Sequence, residues 1–474
     1  MLRNWTNGKG RGAGVIAIAV ILLAGCTVGP NYRKPAVKTP ESFRGAAEPS
    51  APSSASAISI ADQKWWQVFQ DEQLQKLVRT ALENNYDARI AANRILQAEA
   101  QLGITRADQY PSVDAGANIT TQRNPQTGPI PQFSRTAGQA TVSARWEIDF
   151  WGKYRRATEA ARAELLATEW ARQAVASTLV ANVASSYFTL RELDLELEIS
   201  RRTLNSRKES LKLTKLLEER GVNSKLDVRQ AEQLVYTAAT QIPDLERRVE
   251  QQENAINTLL GANPDSVGRG LALTAEPKPV EIPAGVPSAL LERRPDIRQA
   301  EQLLIAANAR IGVAKSAYFP RIALTGAGGF QSSALTELFS GPAGLWNFAA
   351  NLSQPVFAGG RIRSNVRLTE AQQQEALLRY QQTIQLAFRE VSDALVARRK
   401  NQEFTAQQRL LVESARDAAR LSDLRYRAGQ TNYLEVLTNE TNLFEAELRL
   451  AQAQVNELLA LVELYRALGG GWQQ

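Results

Sequence analysis

Two glycine-to-glycine intervals, each present twice, constrain this chain more than anything else in it. Gly152 and Gly221 bracket 68 residues (153–220) without Gly or Pro, and Gly360 and Gly429 bracket another 68 (361–428). From Gly221 to Gly261 there are 39 intervening residues, and from Gly429 to Gly469 there are 39 again. Asp87-Ala88-Arg89, Gly103 and Tyr110-Pro111 return as Asp296-Ile297-Arg298, Gly312 and Phe319-Pro320, offset by 209. Spacings held over such a length define an internal duplication. The first repeat covers 62–261 and the second 287–474, joined by a Pro/Gly-rich linker at 262–286.

The uninterrupted segments carry a helical period. Val175, Leu179, Val183, Ser186, Leu190, Leu193 and Leu197 recur at steps of three and four, as do Leu377, Tyr380, Ile384, Ala387, Val391 and Ala394. The pattern predicts helices over about 153–220, 224–260, 361–427 and 432–468. A helix of the longer kind reaches ~100 Å at 1.5 Å per residue. No single globular core accommodates that length, so such helices must pack side by side as in coiled coils.

Between the shorter leading helices and the long ones lie segments with a period of two. Val113, Ala115, Ala117 and Ile119 alternate with Asp114, Gly116, Asn118 and Thr120. Ala140, Val142, Ala144, Trp146 and Ile148 alternate with Thr141, Ser143, Arg145, Glu147 and Asp149. The second repeat offers Ile322, Leu324, Gly326, Gly328 and Phe330, then Trp346, Phe348, Ala350 and Leu352. Strands are expected at about 112–121, 138–150, 321–331 and 345–357, with the alternation of transmembrane β-strands and aromatics near their ends. One such hairpin also fits a half-buried soluble sheet; two at matching positions favour the membrane. Four strands cannot close a barrel, and an open edge is not tolerated in hydrocarbon, so spanning strands require several copies to share one barrel. The fold class is therefore mixed α and β, mainly α.

Composition removes most enzyme classes. There is no histidine, one cysteine and one methionine. That excludes His-based acid/base work, Ser-His-Asp and Cys-His nucleophiles, and His- or Cys-rich metal centres. No other catalytic constellation is found, and no metal site or cofactor is expected. The net charge of +7 is spread along the chain with no basic block interleaved with aromatics, which gives nucleic-acid binding no support.

The N-terminus reads as an export signal. Arg3, Lys9 and Arg11 precede an apolar run from Ala13 to Ala24, too short to span a bilayer. It ends in Leu23-Ala24-Gly25-Cys26, which resembles a bacterial lipoprotein signal, with residues 1–25 removed and Cys26 acylated. Acyl chains on Cys26 would give a stable anchor. Thr27, where an Asp would favour inner-membrane retention, points to the outer membrane of a Gram-negative bacterium. Residues 26–61, rich in Pro, Ser and Ala, are expected to form an extended tether.

Several motifs together resemble the outer-membrane factor family of tripartite efflux systems, in its OprM/NodT lipoprotein branch of TolC-like proteins. They are Gly25 to Tyr32 with Pro35; Trp65-Trp66 followed by Phe69, Asp71 and Leu74; Arg293-Arg294-Pro295-Asp296-Ile297; Gln354 to Phe357 with Gly359-Gly360; and Ala467-Leu468-Gly469-Gly470-Gly471-Trp472. The resemblance covers essentially the whole chain. It implies a homotrimer with a shared twelve-stranded transmembrane barrel, four strands per copy, continued by a long periplasmic helical barrel with a small equatorial domain. It also implies a passive export channel for small molecules such as drugs or solvents, without enzymatic activity. The channel would dock a periplasmic adaptor bound to an inner-membrane pump, of the RND type.

The resemblance places the functional ends. Gly221, Val222, Asn223, Ser224 and Leu226, and Gly429, Gln430, Thr431, Asn432 and Leu434, match the periplasmic hairpin tips through which adaptors dock. A plain helix–turn–helix would use the same residue types. Asp417, Arg420, Asp423 and Arg427 lie where the family closes its periplasmic entrance, Asp423 foremost. They also fit an ordinary ladder of charges three and four apart, and Glu209, Lys212, Lys215 and Glu219 form a similar one in the first repeat. Two other readings stay open: an outlet for type I protein secretion, and a structural coiled-coil envelope lipoprotein.

Overall fold

The computed structural model describes residues 27–40, 42–44, 59–125, 128–129, 132–276 and 287–472. The signal segment, the acylation site Cys26 and residues 277–286 of the linker lie outside them. The helices are α1 (Trp65–Val68), α2 (Glu72–Asn84), α3 (Tyr86–Ala107), α4 (Lys153–Glu219), α5 (Lys225–Leu259), α6 (Pro287–Arg293), α7 (Pro295–Ser316), α8 (Arg361–Arg427) and α9 (Tyr433–Ala467). The strands are β1 (Ser112–Asn124), β2 (Phe133–Ile148), β3 (Arg321–Ser332) and β4 (Gly344–Ser353).

The long helices end where the glycines place their ends, and for a local reason. Gly221 and Gly429 have φ of +73° and +70°. Beside them the amide of Val222 donates to the Leu217 carbonyl and that of Gln430 to the Arg425 carbonyl, each at 2.9 Å. These are the six-to-one bonds of a Schellman stop, which needs a left-handed residue. Strand ends depart from the expected ones. β2 stops at Ile148 instead of 150 because the Asp149 carboxylate turns to accept the amides of Tyr154 and Arg155, at 3.1 and 2.8 Å. β4 stops at Ser353 instead of 357, just before Pro355, which has no N–H for a ladder. β1 and β2 extend the first hairpin to 124 and back to 133, beyond the expected 121 and 138.

The chain divides into two compact units, each drawing on both repeats. The first gathers residues 27–36 with Ile95–Thr168 and Ala300–Tyr380. It holds one antiparallel sheet in the order β1-β2-β3-β4, so the two repeats meet at the β2–β3 pairing. Register separates the faces cleanly. Val113↔Ala144, Ala115↔Val142, Ala144↔Gly326, Leu324↔Ala350 and Ile322↔Leu352 lie on one side. Asp114↔Ser143, Arg145↔Thr325, Glu147↔Ala323 and Ala323↔Asn351 lie on the other. One face is apolar, the opposite face polar, and β1 and β4 are open edges.

The tether's first residues are docked within this unit. The buried Arg156 guanidinium donates to Asn31 Oδ1 at 2.7 Å and to the carbonyls of Val28 and Gly29 at 3.3 and 3.4 Å. Asn308 Nδ2 donates to the Pro30 carbonyl at 2.9 Å. Gly29, at φ +102°, lies so close to α7 that a Cβ there would come within 2.5 Å of the Gly312 Cα. Two glycines facing each other allow that approach.

The second unit comprises Val37–Arg94, Glu169–Gln299 and Gln381–Gln474. Its core is built on the inward stripes of the long helices, with Val183, Tyr187 and Leu190 of α4 and Ile384, Ala387 and Val391 of α8 fully buried. Three sequence motifs tie it together. Asp71 caps α2, accepting from Gln73 and Leu74, and also accepts the Tyr187 hydroxyl and the Leu271 amide, both at 2.8 Å. Arg294 grips Asp296, Glu390 and the Ala467 carbonyl. At the C-terminal end, Ser177 Oγ donates to the Gly470 carbonyl at 2.5 Å, and the Trp170 and Trp472 rings meet edge to face at 6.2 Å.

Candidate functional site

Both predicted tips form compact turns in the second unit. Ser224 opens α5 with a reciprocal box: the Asp227 amide donates to Ser224 Oγ at 3.2 Å and the Ser224 amide to Asp227 Oδ2 at 2.9 Å. Asn432 caps α9 in one direction, its Oδ1 accepting the Glu435 amide at 3.3 Å. The Thr431 hydroxyl donates to Glu435 Oε2 at 2.5 Å, and Arg425 reaches Glu435 Oε1 at 2.8 Å. Polar side chains thus hold each turn from within, while apolar ones point outward. Val222, Leu226 and Leu434 are 69%, 65% and 52% exposed. The two tips share a core of Ala231, Leu234, Tyr433 and Val436, and Asn223 Nδ2 donates to the Tyr426 hydroxyl.

The four gate candidates pair along the surface of α8 itself. Asp423 meets Arg427 at 2.8 Å, and Asp417 meets Arg420 at 3.4 Å. That is the charge-ladder geometry, worth only tenths of a kcal/mol per pair. The fold nevertheless brings Arg420, Asp423 and Arg427 to one groove of about 840 Å³, facing Arg207, Glu440 and Glu447. Arg207 is buried; it donates to the Leu234 carbonyl at 2.9 Å, and its guanidinium carbon sits 5.0 Å from the Phe444 ring centre. Its Nε stands 4.0 Å from Glu440 Oε2, a separation too long for a hydrogen bond. Burial holds the Glu440 carboxyl above the usual range.

The ties between helices come from residues that sequence spacing does not single out. Glu447 of α9 is held by Arg202 of α4 at 2.7 Å and by Arg416 of α8 at 2.9 Å. One signal was present. Glu447 falls on the buried stripe of α9 with Phe444 and Ala451, where a carboxylate needs a partner.

A further buried carboxyl makes the helical unit pH-sensitive. Glu192 of α4 is 4% exposed and its Oε1 has no hydrogen-bond partner. Burial, aided by the neighbouring Glu196 and opposed by Arg248, pushes its pKa up to about 7. The folded chain then keeps a proton that the unfolded chain releases, so stability falls as pH rises from about 4.5 to 7 and levels off above. Glu192→Gln is expected to stabilise the protein by about 2–3 kcal/mol at pH 8 and to make little difference at pH 4. Urea unfolding of the detergent-solubilised protein at both pH values checks this, and a gain equal at the two would remove Glu192 as its cause.

Similarity to known proteins agrees with this architecture. The family profile described as "Outer membrane efflux protein" matches residues 77–262 and 286–470. The chain is 38% identical over 468 residues to the toluene efflux pump outer membrane protein TtgC of Pseudomonas putida, covering 97% of this chain and 95% of that one. It is 34% identical over 459 residues to the cation efflux system protein CusC of Escherichia coli, covering 96% and 97%. The solved outer-membrane channel OprN superposes with a TM-score of 0.87 at 33% identity, over 95% of this chain and 100% of that one. The two-faced sheet and paired long helices are thus those of a TolC-like channel, and the chain belongs to the outer membrane efflux protein family, the outer-membrane components of efflux pumps.

Proposed function

We propose that this chain is the passive outer-membrane conduit of a tripartite efflux system. Three copies would join their open β1 and β4 edges into one barrel, with the apolar face toward lipid and the Asp114, Arg145 and Glu147 face lining a wet lumen. The two-faced, open-edged sheet carries this reading: in hydrocarbon every edge must be paired, and only closure among copies pairs them. Acyl chains on Cys26 would add a second attachment to the outer membrane.

Gly221 to Leu226 and Gly429 to Leu434 would be the surface on which a periplasmic adaptor docks, bringing the channel to an inner-membrane pump. Energy and substrate choice belong to the pump, so the chain needs no catalytic site. Relatives of similar identity named for toluene and for cations support a conduit that does not select its cargo. A photo-crosslinking residue at Asn432 in intact cells tests the docking. Capture of a periplasmic adaptor with a co-purifying inner-membrane pump supports it; capture of envelope scaffold proteins alone overturns it.

Asp423, Arg420, Asp417 and Arg427 would close the periplasmic entrance, with Asp423 as the main contributor. Asp423→Ala is expected to raise single-channel conductance in planar bilayers. An unchanged closed state would leave these residues as the surface ladder their pairing along α8 resembles.

A further inference from the structure

The apolar face of the sheet carries a depression. Ala115, Ala117, Ala140, Val142, Gly328 and Phe330 line a groove of about 690 Å³. All six share one face, because Ala117 pairs with Ala140 and Ala140 with Phe330, while Ala115 pairs with Val142 and Val142 with Gly328. With strands about 4.8 Å apart, the groove runs roughly 10 Å across β1, β2 and β3. Its floor is low because Ala and Gly stand where the same face elsewhere carries Trp346, Phe348 and Leu352, which are 84%, 67% and 71% exposed.

The loop between β3 and β4 bends over this same face. Its Phe339 ring lies edge-on to Phe330 at 5.5 Å and also lines the groove. Leu335 covers Gly138, where a Cβ would come within 2.7 Å of the leucine methyl; Gly138 pairs with Ile119 and so belongs to the apolar face. The loop therefore does not roof the polar face. Leu335 and Phe339, 54% and 73% exposed, point into the surroundings of the barrel.

We infer that this groove holds one acyl chain of a membrane lipid, clasped at its loop end by Phe330 and Phe339. The inference rests on the reading of the sheet as part of a shared barrel, whose copies join by edges and leave this face to the bilayer. Continuity with that lipid-facing surface decides the occupant. A slot lined by Ala, Gly, Val and Phe, with Thr141 its one polar residue, offers hydrocarbon close contact, and a flexible chain fills a depression that a rigid surface would leave void. The aromatic pair at one end restricts the chain where the loop crosses it.

The purified protein, reconstituted in phosphatidylethanolamine and phosphatidylglycerol vesicles doped with a phosphatidylethanolamine bearing a photoreactive acyl chain, tests this by mapping labelled residues. Label on Ala140, Val142, Phe330 and Phe339 is expected to exceed that on Val113 and Leu352 of the same face about fourfold, the ratio for one extra buried methylene. Ala117→Leu with Gly328→Leu should abolish the excess. Gly328 has room for a side chain, its added Cβ meeting nothing nearer than the Leu345 carbonyl at 3.9 Å. Phe339→Ala, in the loop and outside the barrel, should lower the excess without touching the strands. Even labelling of the whole face, or an excess that survives both variants, overturns the groove while leaving the barrel intact. Label absent from the face altogether overturns the barrel reading with it.

Discussion

Arg294→Ala is expected to cost about 2–3 kcal/mol of stability, the loss of a buried guanidinium whose hydrogen bonds reach partly exposed carboxylates. Arg294 is 5% exposed and its guanidinium makes four hydrogen bonds. It forks onto both oxygens of Asp296, at 3.0 and 2.6 Å. One further nitrogen donates to Glu390 Oε2 at 2.8 Å and to the Ala467 carbonyl at 3.0 Å. One side chain thus joins the start of α7, the middle of α8 and the last carbonyl of α9. Removing it takes the fork from Asp296, leaves Glu390 with Arg466 alone at 3.7 Å, frees the last carbonyl of α9 and empties the buried space the side chain fills. Arg294→Lys should recover only part of the loss, because a point charge cannot reproduce the fork. Urea midpoints of the detergent-solubilised protein measure both variants, and an Arg294→Ala midpoint within error of the parent would show the network to be dispensable.

That residue also shows where sequence reading stops. Arg293 to Ile297 stands out as a family mark, yet nothing in its spacing tells that Arg294 reaches residues 390 and 467. The same holds for Asp71, which caps a helix and also binds Tyr187 and Leu271, and for Gly470, whose carbonyl receives Ser177. Helix ends were legible because Gly at a left-handed stop and Ser or Asn at a cap act locally. Strand faces were legible because alternation is local too. Register, including the β2–β3 pairing that joins the repeats, is a long-range choice that no single strand encodes.

The candidate gate marks the same boundary from the other side. Asp417, Arg420, Asp423 and Arg427 stand at three- and four-residue spacing, and the structure pairs them along one helix as that spacing dictates. Glu447, which is held from two other helices at once, has no such spacing to advertise it. The docked tether is a third case. Low complexity reads as a spacer, whereas the Arg156 grip and Gly29 against Gly312 depend on two helices, one 125 residues away and the other nearly three hundred.

Leu226→Glu combined with Leu434→Glu is expected to weaken adaptor binding at least about 100-fold and to abolish export. Both leucines occupy the second position of a returning helix, at equivalent places in the two repeats, and are 65% and 52% exposed. Burying each against a partner contributes about 1.5–3 kcal/mol, and a carboxylate there would also require desolvation. The turns themselves should survive, since they are held by Ser224 with Asp227 and by Asn432 with Glu435, and a carboxylate in the first turn suits the helix dipole. Folding and docking can therefore be separated in one experiment. Unaltered unfolding of the variant, together with lost pull-down of the adaptor and lost resistance to exported compounds, would place docking on the exposed leucines. Adaptor pull-down undiminished in the double variant would move the docking surface off the tips, to the sides of the long helices.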